Sequence, residues 1–227
     1  MKGSVVSYVV AIVFLALLIV STSVYADGTI STTDATSDLL NEGGQPAPSQ
    51  FYVGFLDIVE AHVTLSGGVY TFEMTVQSTS SDWLTSTWAP VYSDLPSQAK
   101  ITAVGYRWFL RDSSGTFQGV VRATWRDDGV VHFNIRVCPP GTLPECAVSS
   151  PGVGSDLQAP PSMAFSFDQS TNSLWVTISQ TDFAGVFSSN GLPTPTQWRA
   201  LTFAQLRGGG VPVLDRAPDE TLLSMPT

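Results

Sequence analysis

Two imidazoles, His62 and His132, and two thiols, Cys138 and Cys146, are the only histidines and cysteines in this chain of 227 residues, a sparse set for a His-assisted hydrolase or a catalytic zinc site. A Ser–His–Asp hydrolase of the α/β type carries a Gly-x-Ser-x-Gly elbow, and none occurs. Catalytic zinc needs His or Cys ligands at close spacing, which these four residues do not provide. Phosphate binding needs a glycine-rich loop ahead of a helix, whereas "RGGGVP" follows a strand pattern and runs into proline. Paired carboxylates leave no local signature, so a carboxylate-dependent glycan hydrolase stays open as an alternative. The residue inventory favours a protein that is not an enzyme.

Carboxylates are plentiful, with 19 Asp and Glu against 10 Lys and Arg. Asp34 and Asp38 precede the first strand pattern, Asp57 opens it, and Asp215 and Asp219 lie near the C-terminus. A sandwich that brings its termini together would gather these five, and several oxygen ligands are what calcium requires. No compact loop of regular ligand spacing such as an EF-hand occurs; a structural calcium ion is a reading these acids allow, and no cofactor is required. The pair in "CPPGTLPEC", Cys138 and Cys146, closes a small loop as a disulfide in an oxidising compartment; two free thiols or a metal pair is the alternative.

Aromatic residues supply a binding chemistry. The stretch 78–99 holds Trp83, Trp88 and Tyr92 in a long segment without strand periodicity, and such loops are often functional. Flat rings stack on the apolar face of a sugar, with polar neighbours fixing its orientation. Trp175 points away from the core in the register derived below, opposite Ser166, and would act in the same way. The bland alternative is that these rings cap the ends of the fold.

The elements that position these residues are β-strands. Apolar residues alternate with period two, and long helical periodicity is hard to find. Gly67–Gly68 makes a two-residue turn that sets Leu65 against Tyr70, Val63 against Phe72, Ala61 against Met74 and Val59 against Val76. In "YRWFLRDSSG", a four-residue loop pairs Leu110 with Phe117, Trp108 with Gly119, Tyr106 with Val121 and Val104 with Ala123. The turn ending at Gly129 pairs Trp125 with Val131, Ala123 with Phe133 and Val121 with Ile135. "MAFSFD" and "LWVTIS" form a further hairpin with Phe165, Phe167, Leu174, Val176 and Ile178 inward, and "WRALTF" is a last strand. The expected fold is an all-β, antiparallel two-sheet sandwich, jelly-roll or immunoglobulin-like.

Turned over, the strand 101–111 and its neighbours carry Arg107, Phe109 and Arg111, then Gln118, Arg122, Thr124 and Arg126, then His132, Asn134 and Arg136. This outward face is read either as a solvated surface paired with Glu60 and Glu73, or as a docking face for an acidic partner or an anionic glycan.

Residues 1–26 read as a secretory signal: Lys2, an apolar run from Val5 to Val20, and Val24–Tyr25–Ala26 as the cleavage site. An uncleaved anchor is the alternative, because the apolar run is long. Removal of Lys2 takes the formal charge from −9 to −10. An acidic exported chain is a poor partner for nucleic acid or anionic membrane, and no later segment is apolar enough to span a bilayer. The expected organisation is a signal at 1–26, a polar segment at 27–50, one sandwich domain at 51–219 and a tail at 220–227.

The acidic lead-in, "DIVEAHVTL", "GGVYTFEMTV", "YRWFL" and the terminal "WRALTF…DRAPD" together resemble the secreted β-sandwich modules of the DOMON and family-9 carbohydrate-binding type. The resemblance spans most of residues 51–219, as pattern rather than motif. It implies sugar binding, or in some members haem held by a Met and a His. Met74 points inward and His132 outward, so that pair does not fit. The sequence reads as an exported β-sandwich that binds a glycan or an acidic surface partner, with a structural subunit of a surface layer or filament as the other class.

Overall fold

The computed structural model describes residues 27–36, 38–40, 45–47, 54–77, 101–126, 130–138, 155–156, 159–206, 213–218 and 221–227. Two antiparallel sheets face each other. In one, β1 (Gly28–Thr33), β2 (Ile58–Ser66), β3 (Val69–Val76), β9 (Ser173–Ser179) and β8 (Ala164–Asp168) lie side by side in that order. The other runs β11 (Val213–Ala217), β10 (Gln197–Leu206), β4 (Ile101–Arg111), β5 (Phe117–Arg126), β6 (Val131–Val137) and β7 (Ser155–Asp156), with β12 (Leu223–Ser224) also paired to β10. The expected two-sheet sandwich is the observed architecture.

Alternation decides which side chains meet between the sheets. Phe72 and Met74 from one sheet and Tyr106, Trp108 and Trp125 from the other are at most 1% exposed in a single core cluster. The Trp108 ring meets Phe72 edge-on at 5.9 Å. Burying each large apolar side chain contributes about 1.5–3 kcal/mol. The Gly67–Gly68 turn forms with both glycines at positive φ, 55° and 77°, as a type I′ turn requires. It gives the expected pairs Leu65–Tyr70, Val63–Phe72 and Ala61–Met74. The pairs Trp125–Val131, Ala123–Phe133 and Val121–Ile135 also form, as do Phe165–Val176 and Phe167–Leu174.

Two registers differ from expectation, each at a bulge. An irregularity between Ile58 and Glu60 sets Ile58, not Val59, against Val76, and Ile58 is the buried one. Between β4 and β5 the pairs are Leu110–Gly119, Trp108–Val121 and Tyr106–Ala123, two residues removed from the expected ones. A slip of two preserves the faces, so the inward set of β4 stands. The bulge at this hairpin turns Phe117 outward, where its ring lies 5.7 Å from Phe109. The loop preceding it is longer than four residues because Asp112 organises it. Asp112 Oδ1 accepts from Ser114 N, Ser114 Oγ and Thr116 N at 2.9, 2.6 and 2.9 Å.

Both ends of the domain extend past the expected limits. Residues 28–33, read as part of an irregular polar segment, form β1 because Thr29, Ile30 and Ser31 pair with Thr64, Val63 and His62. Residues 223–224 form β12, and Met225 is 5% exposed. A helix, α1 (Gln180–Ser188), also escaped the period-two reading. Ser179 caps it, its side chain accepting from Asp182 N at 3.1 Å, and Phe183 and Phe187, one turn apart, bury one face.

The outer face of the seven-stranded sheet is covered as well. Phe109, Phe117, Val120, Cys138, Leu201, Phe203 and Leu214 form a second apolar cluster there. Phe203 stands directly opposite Gly105, and a Cβ on Gly105 would come within 1.8 Å of the Phe203 ring. The same ring lies 4.1 Å from the Arg107 guanidinium carbon. Gly105→Ala therefore lowers unfolding stability by about 1–3 kcal/mol. Urea unfolding checks this, and an unchanged midpoint would show that the ring yields freely.

Candidate functional site

The outer face of the five-stranded sheet is polar and assembled row by row. Reading across its strands, one row is Ser31, His62, Glu73, Trp175 and Ser166. The neighbouring rows are Thr33, Glu60, Thr75, Ser173 and Asp168 on one side, and Thr29, Thr64, Thr71, Thr177 and Ala164 on the other. Successive strands lie about 4.8 Å apart, so these side chains are lateral neighbours. Thr29 and Thr64 hydroxyls bond at 3.0 Å, Thr75 and Ser173 at 2.8 Å, and His62 Nε2 is 3.6 Å from Glu60 Oε2.

Trp175 is the one indole in these three rows and their largest side chain. Trp108, Trp125 and Trp198 are fully buried, whereas Trp175 is partly exposed. The structure thus sets Trp175 outward and opposite Ser166, as expected. It adds Glu73, directly opposite Trp175 on β3, with His62 beyond it. Parity showed that Glu73 and Trp175 both face out; the pairing of β3 with β9, about a hundred residues apart in sequence, carried no local signal. Trp83, Trp88 and Tyr92 lie outside the described residues.

A second cluster lies where the edges of the two sheets meet. Tyr106 OH donates to Phe55 O at 3.0 Å, and Thr202 Oγ1 donates to Leu56 O, so residues 55 and 56 hang from the seven-stranded sheet. The chain then enters β2 at Ile58, whose N–H donates to Asp215 Oδ2 of β11 at 2.6 Å. Asp215 Oδ1 accepts from Arg216 N at 2.8 Å. After β1, Asp34 N donates to Val59 O at 2.9 Å, and Leu40 exchanges two 2.8 Å bonds with Leu214. These links carry Asp34 and Asp38 to Asp215, one carboxylate oxygen from each lying within 4.8 Å of the others. Three of the five expected acids therefore converge. Asp57 is buried but stands outside this group, and Asp219 lies outside the described residues.

Asp215 is 1% exposed, and burial first, with the charges of Asp34 and Asp38 adding to it, pushes its carboxyl up to about 8. The two backbone N–H donors oppose that rise without cancelling it.

The arginine face requires correction. Its side chains do point away from the core, but Arg107, Phe109, Arg122 and Arg136 are only 4%, 6%, 9% and 2% exposed. Arg111 is half-buried, its Nη1 donating to Gly115 O at 2.6 Å, while Arg126 and His132 are exposed. Arg122 Nε donates to Asn134 Oδ1 at 2.5 Å. Glu60 and Glu73, expected as partners, lie on the other sheet. Neither an open solvated face nor an accessible docking face exists at Arg107, Arg122 and Arg136, because apolar side chains on the same side require cover. Met74 is fully buried and His132 exposed, so they do not form a haem pair. Cys138 is fully buried in the outer apolar cluster; Cys146 lies outside the described residues.

No family model matches this chain. No curated protein matches it either.

The raised Asp215 carboxyl makes stability pH-dependent in a definite direction. Between its unfolded value near 3.8 and its folded value of about 8, the native state holds a proton that the unfolded chain has released. Stability from this group is full below the lower value and lost as pH rises through the upper. Hydrogen bonds from Ser114 and Ser170 hold Asp112 and Asp168 below the ordinary value, so their contributions are lost only on acidification. With a chelator present, urea midpoints fall from pH 5 to pH 8.5 in the wild type. Asp215→Asn, less stable overall for loss of one acceptor, shows a flatter profile; an equally steep one would contradict the assignment.

Proposed function

We propose that this protein is an exported, non-catalytic binding module whose ligand is a carbohydrate, held on the outer face of the five-stranded sheet around Trp175. One observation carries the reading: Trp175 is a partly exposed indole on a polar sheet face, with Glu73 and Ser166 directly beside it. The ring offers a surface for the C–H face of a sugar, and carboxylate and hydroxyl neighbours accept and donate to its hydroxyl groups. The neighbouring threonines make the surface wettable. Trp83, Trp88 and Tyr92 belong to the same proposal as further stacking rings, and an acidic surface partner is the alternative ligand.

Export accounts for the apolar leader and for the cysteine pair, and a Cys138–Cys146 bridge belongs to this reading. Among the described residues, no helix is long and apolar enough to cross a membrane. The Asp34–Asp38–Asp215 triad has the hard oxygen donors that calcium takes. A bound ion would hold Asp215 ionised and tie the strand ends together, supporting the fold rather than the sugar.

The test is tryptophan fluorescence titrated with soluble oligosaccharides, with and without calcium. Saturable quenching is expected, and Trp175→Ala, which forfeits stacking worth about 1 kcal/mol, weakens binding roughly fivefold. A flat response across the panel, or full binding by the variant, would overturn the site. Export is tested separately: the denatured, unreduced protein should show no titratable thiol, and two free thiols would contradict the bridge.

A further inference from the structure

We propose that the Trp175 face takes a cationic glycan, one whose sugars carry free amino groups, with Glu73 and Asp168 receiving the ammonium groups. The proposal rests on the carbohydrate reading above and names the class of sugar which that reading leaves open.

Charge is divided between the two sheets. Lys and Arg number 10 in the chain, and none lies in β1, β2, β3, β8 or β9. Every arginine of a described strand belongs to the seven-stranded sheet. The outer rows of the five-stranded sheet hold instead the carboxylates of Glu60, Glu73 and Asp168, with His62 the one side chain there able to gain positive charge.

Glu73 and Asp168 flank the indole. Glu73 of β3 stands directly opposite Trp175 on one side. Asp168 of β8 lies diagonally from it on the other, two residues beyond Ser166. Directly opposed side chains have Cβ atoms about 4.5–5.5 Å apart and diagonal neighbours about 7–8 Å, still within reach of a ring. Among the described residues, Glu73 makes no hydrogen bond and no ion pair; the carboxylate–imidazole contact on this face is His62 with Glu60, at 3.6 Å. Asp168 is anchored through Oδ1, which accepts from Ser170 N and Oγ at 2.8 and 2.7 Å. Those bonds hold its carboxyl below the ordinary value, so it stays ionised.

An indole between carboxylates suits a cation. Its π face attracts an ammonium, more strongly than Tyr or Phe would, and each carboxylate accepts a charge-assisted hydrogen bond from it. No guanidinium of the described residues takes that place: Arg107 lies over Phe203 and Arg111 over Phe117, both on the other sheet. An anionic glycan would set its charges against Glu73 and Asp168 with no Lys or Arg in the sheet to offset them. A neutral sugar would stack but leave both carboxylates without a counter-charge. An amino sugar does both, its C–H face on the ring and its ammonium beside a carboxylate. The serine and threonine hydroxyls around Trp175 match sugar hydroxyl groups, which a lysine-rich peptide lacks. A net charge of −9 also draws a polycation in from a distance, an attraction that salt screens.

Calorimetric titration at low ionic strength compares an oligosaccharide of glucosamine with its N-acetylated counterpart of the same length, which keeps the ring and loses the charge. The glucosamine form is expected to bind about fivefold more tightly. Glu73→Gln, which keeps the shape of the side chain, should bring that ratio down toward one, with an unchanged unfolding midpoint showing that the fold is intact. Salt at about 1 M, where the screening length is about 3 Å, should do the same in the unaltered protein. Equal binding of the two forms, lost in Trp175→Ala, overturns the proposal and leaves the carbohydrate reading standing. A ratio unmoved by Glu73→Gln, or tighter binding of an oligogalacturonate, overturns it too. So does an oligolysine that matches the glucosamine oligosaccharide, which would make the partner a basic peptide. Heat from no oligosaccharide at all would instead sink the carbohydrate reading, and this proposal with it.

Discussion

The hydrogen bond from Ile58 N to the buried carboxyl of Asp215 fixes how the two sheets are joined at their edges. It lies where the chain leaves the seven-stranded sheet, held through Phe55 and Leu56, and starts β2 of the other. Holding Ile58 against β11 turns its side chain into the core, and the bulge that follows lets Ala61, Val63 and Leu65 keep the inward phase. The carboxyl pays for its position with a raised pKa, because water is excluded and Asp34 and Asp38 stand close by. Carboxylates brought together in this way are a cost that a neighbour, a proton or a cation must offset.

Sheet asymmetry follows from composition. The seven-stranded sheet carries apolar residues on both faces: Trp108 and Trp125 inward, Phe109, Phe117 and Phe203 outward. Three of its arginines, Arg107, Arg122 and Arg136, are buried on the outer side, Arg107 against the Phe203 ring and Arg122 bonded to Asn134. The five-stranded sheet alternates cleanly instead, apolar inward and Ser, Thr, Glu and His outward, as a sheet wet on one side does. The ligand surface proposed above lies on this second sheet, where Trp175 stands as the aromatic exception to a polar rule.

The sequence revealed what alternation and turn chemistry control. Gly67–Gly68 fixed the β2–β3 register, and the Trp125, Ala123 and Val121 pairings followed from one short turn. Faces survived even where β4–β5 slipped, since a two-residue slip leaves parity intact. Long-range pairing was not legible: nothing local says that β9 lies beside β3, and so Glu73 could not be placed next to Trp175. Burial of the arginine face was missed for the same reason, because outward parity does not reveal what lies above a sheet. β1 was missed because "GTISTT" has one large apolar residue, and α1 because nine residues with Phe183 and Phe187 span little more than two turns. The positions of Asp34, Asp38 and Asp215 near the two ends of the chain predict their meeting, while Asp57 lies outside the group that has one oxygen from each within 4.8 Å.

The central claim is that ligand contact is made at the outer face of the five-stranded sheet. The most direct measurement is the set of six indole N–H resonances in a two-dimensional NMR spectrum of the protein, one for each tryptophan, followed as a soluble oligosaccharide is added. Trp175 should shift saturably while Trp108, Trp125 and Trp198, sealed in the core, stay in place. Saturable shifts confined to Trp83 and Trp88, with Trp175 unmoved, would place the ligand elsewhere and contradict the account.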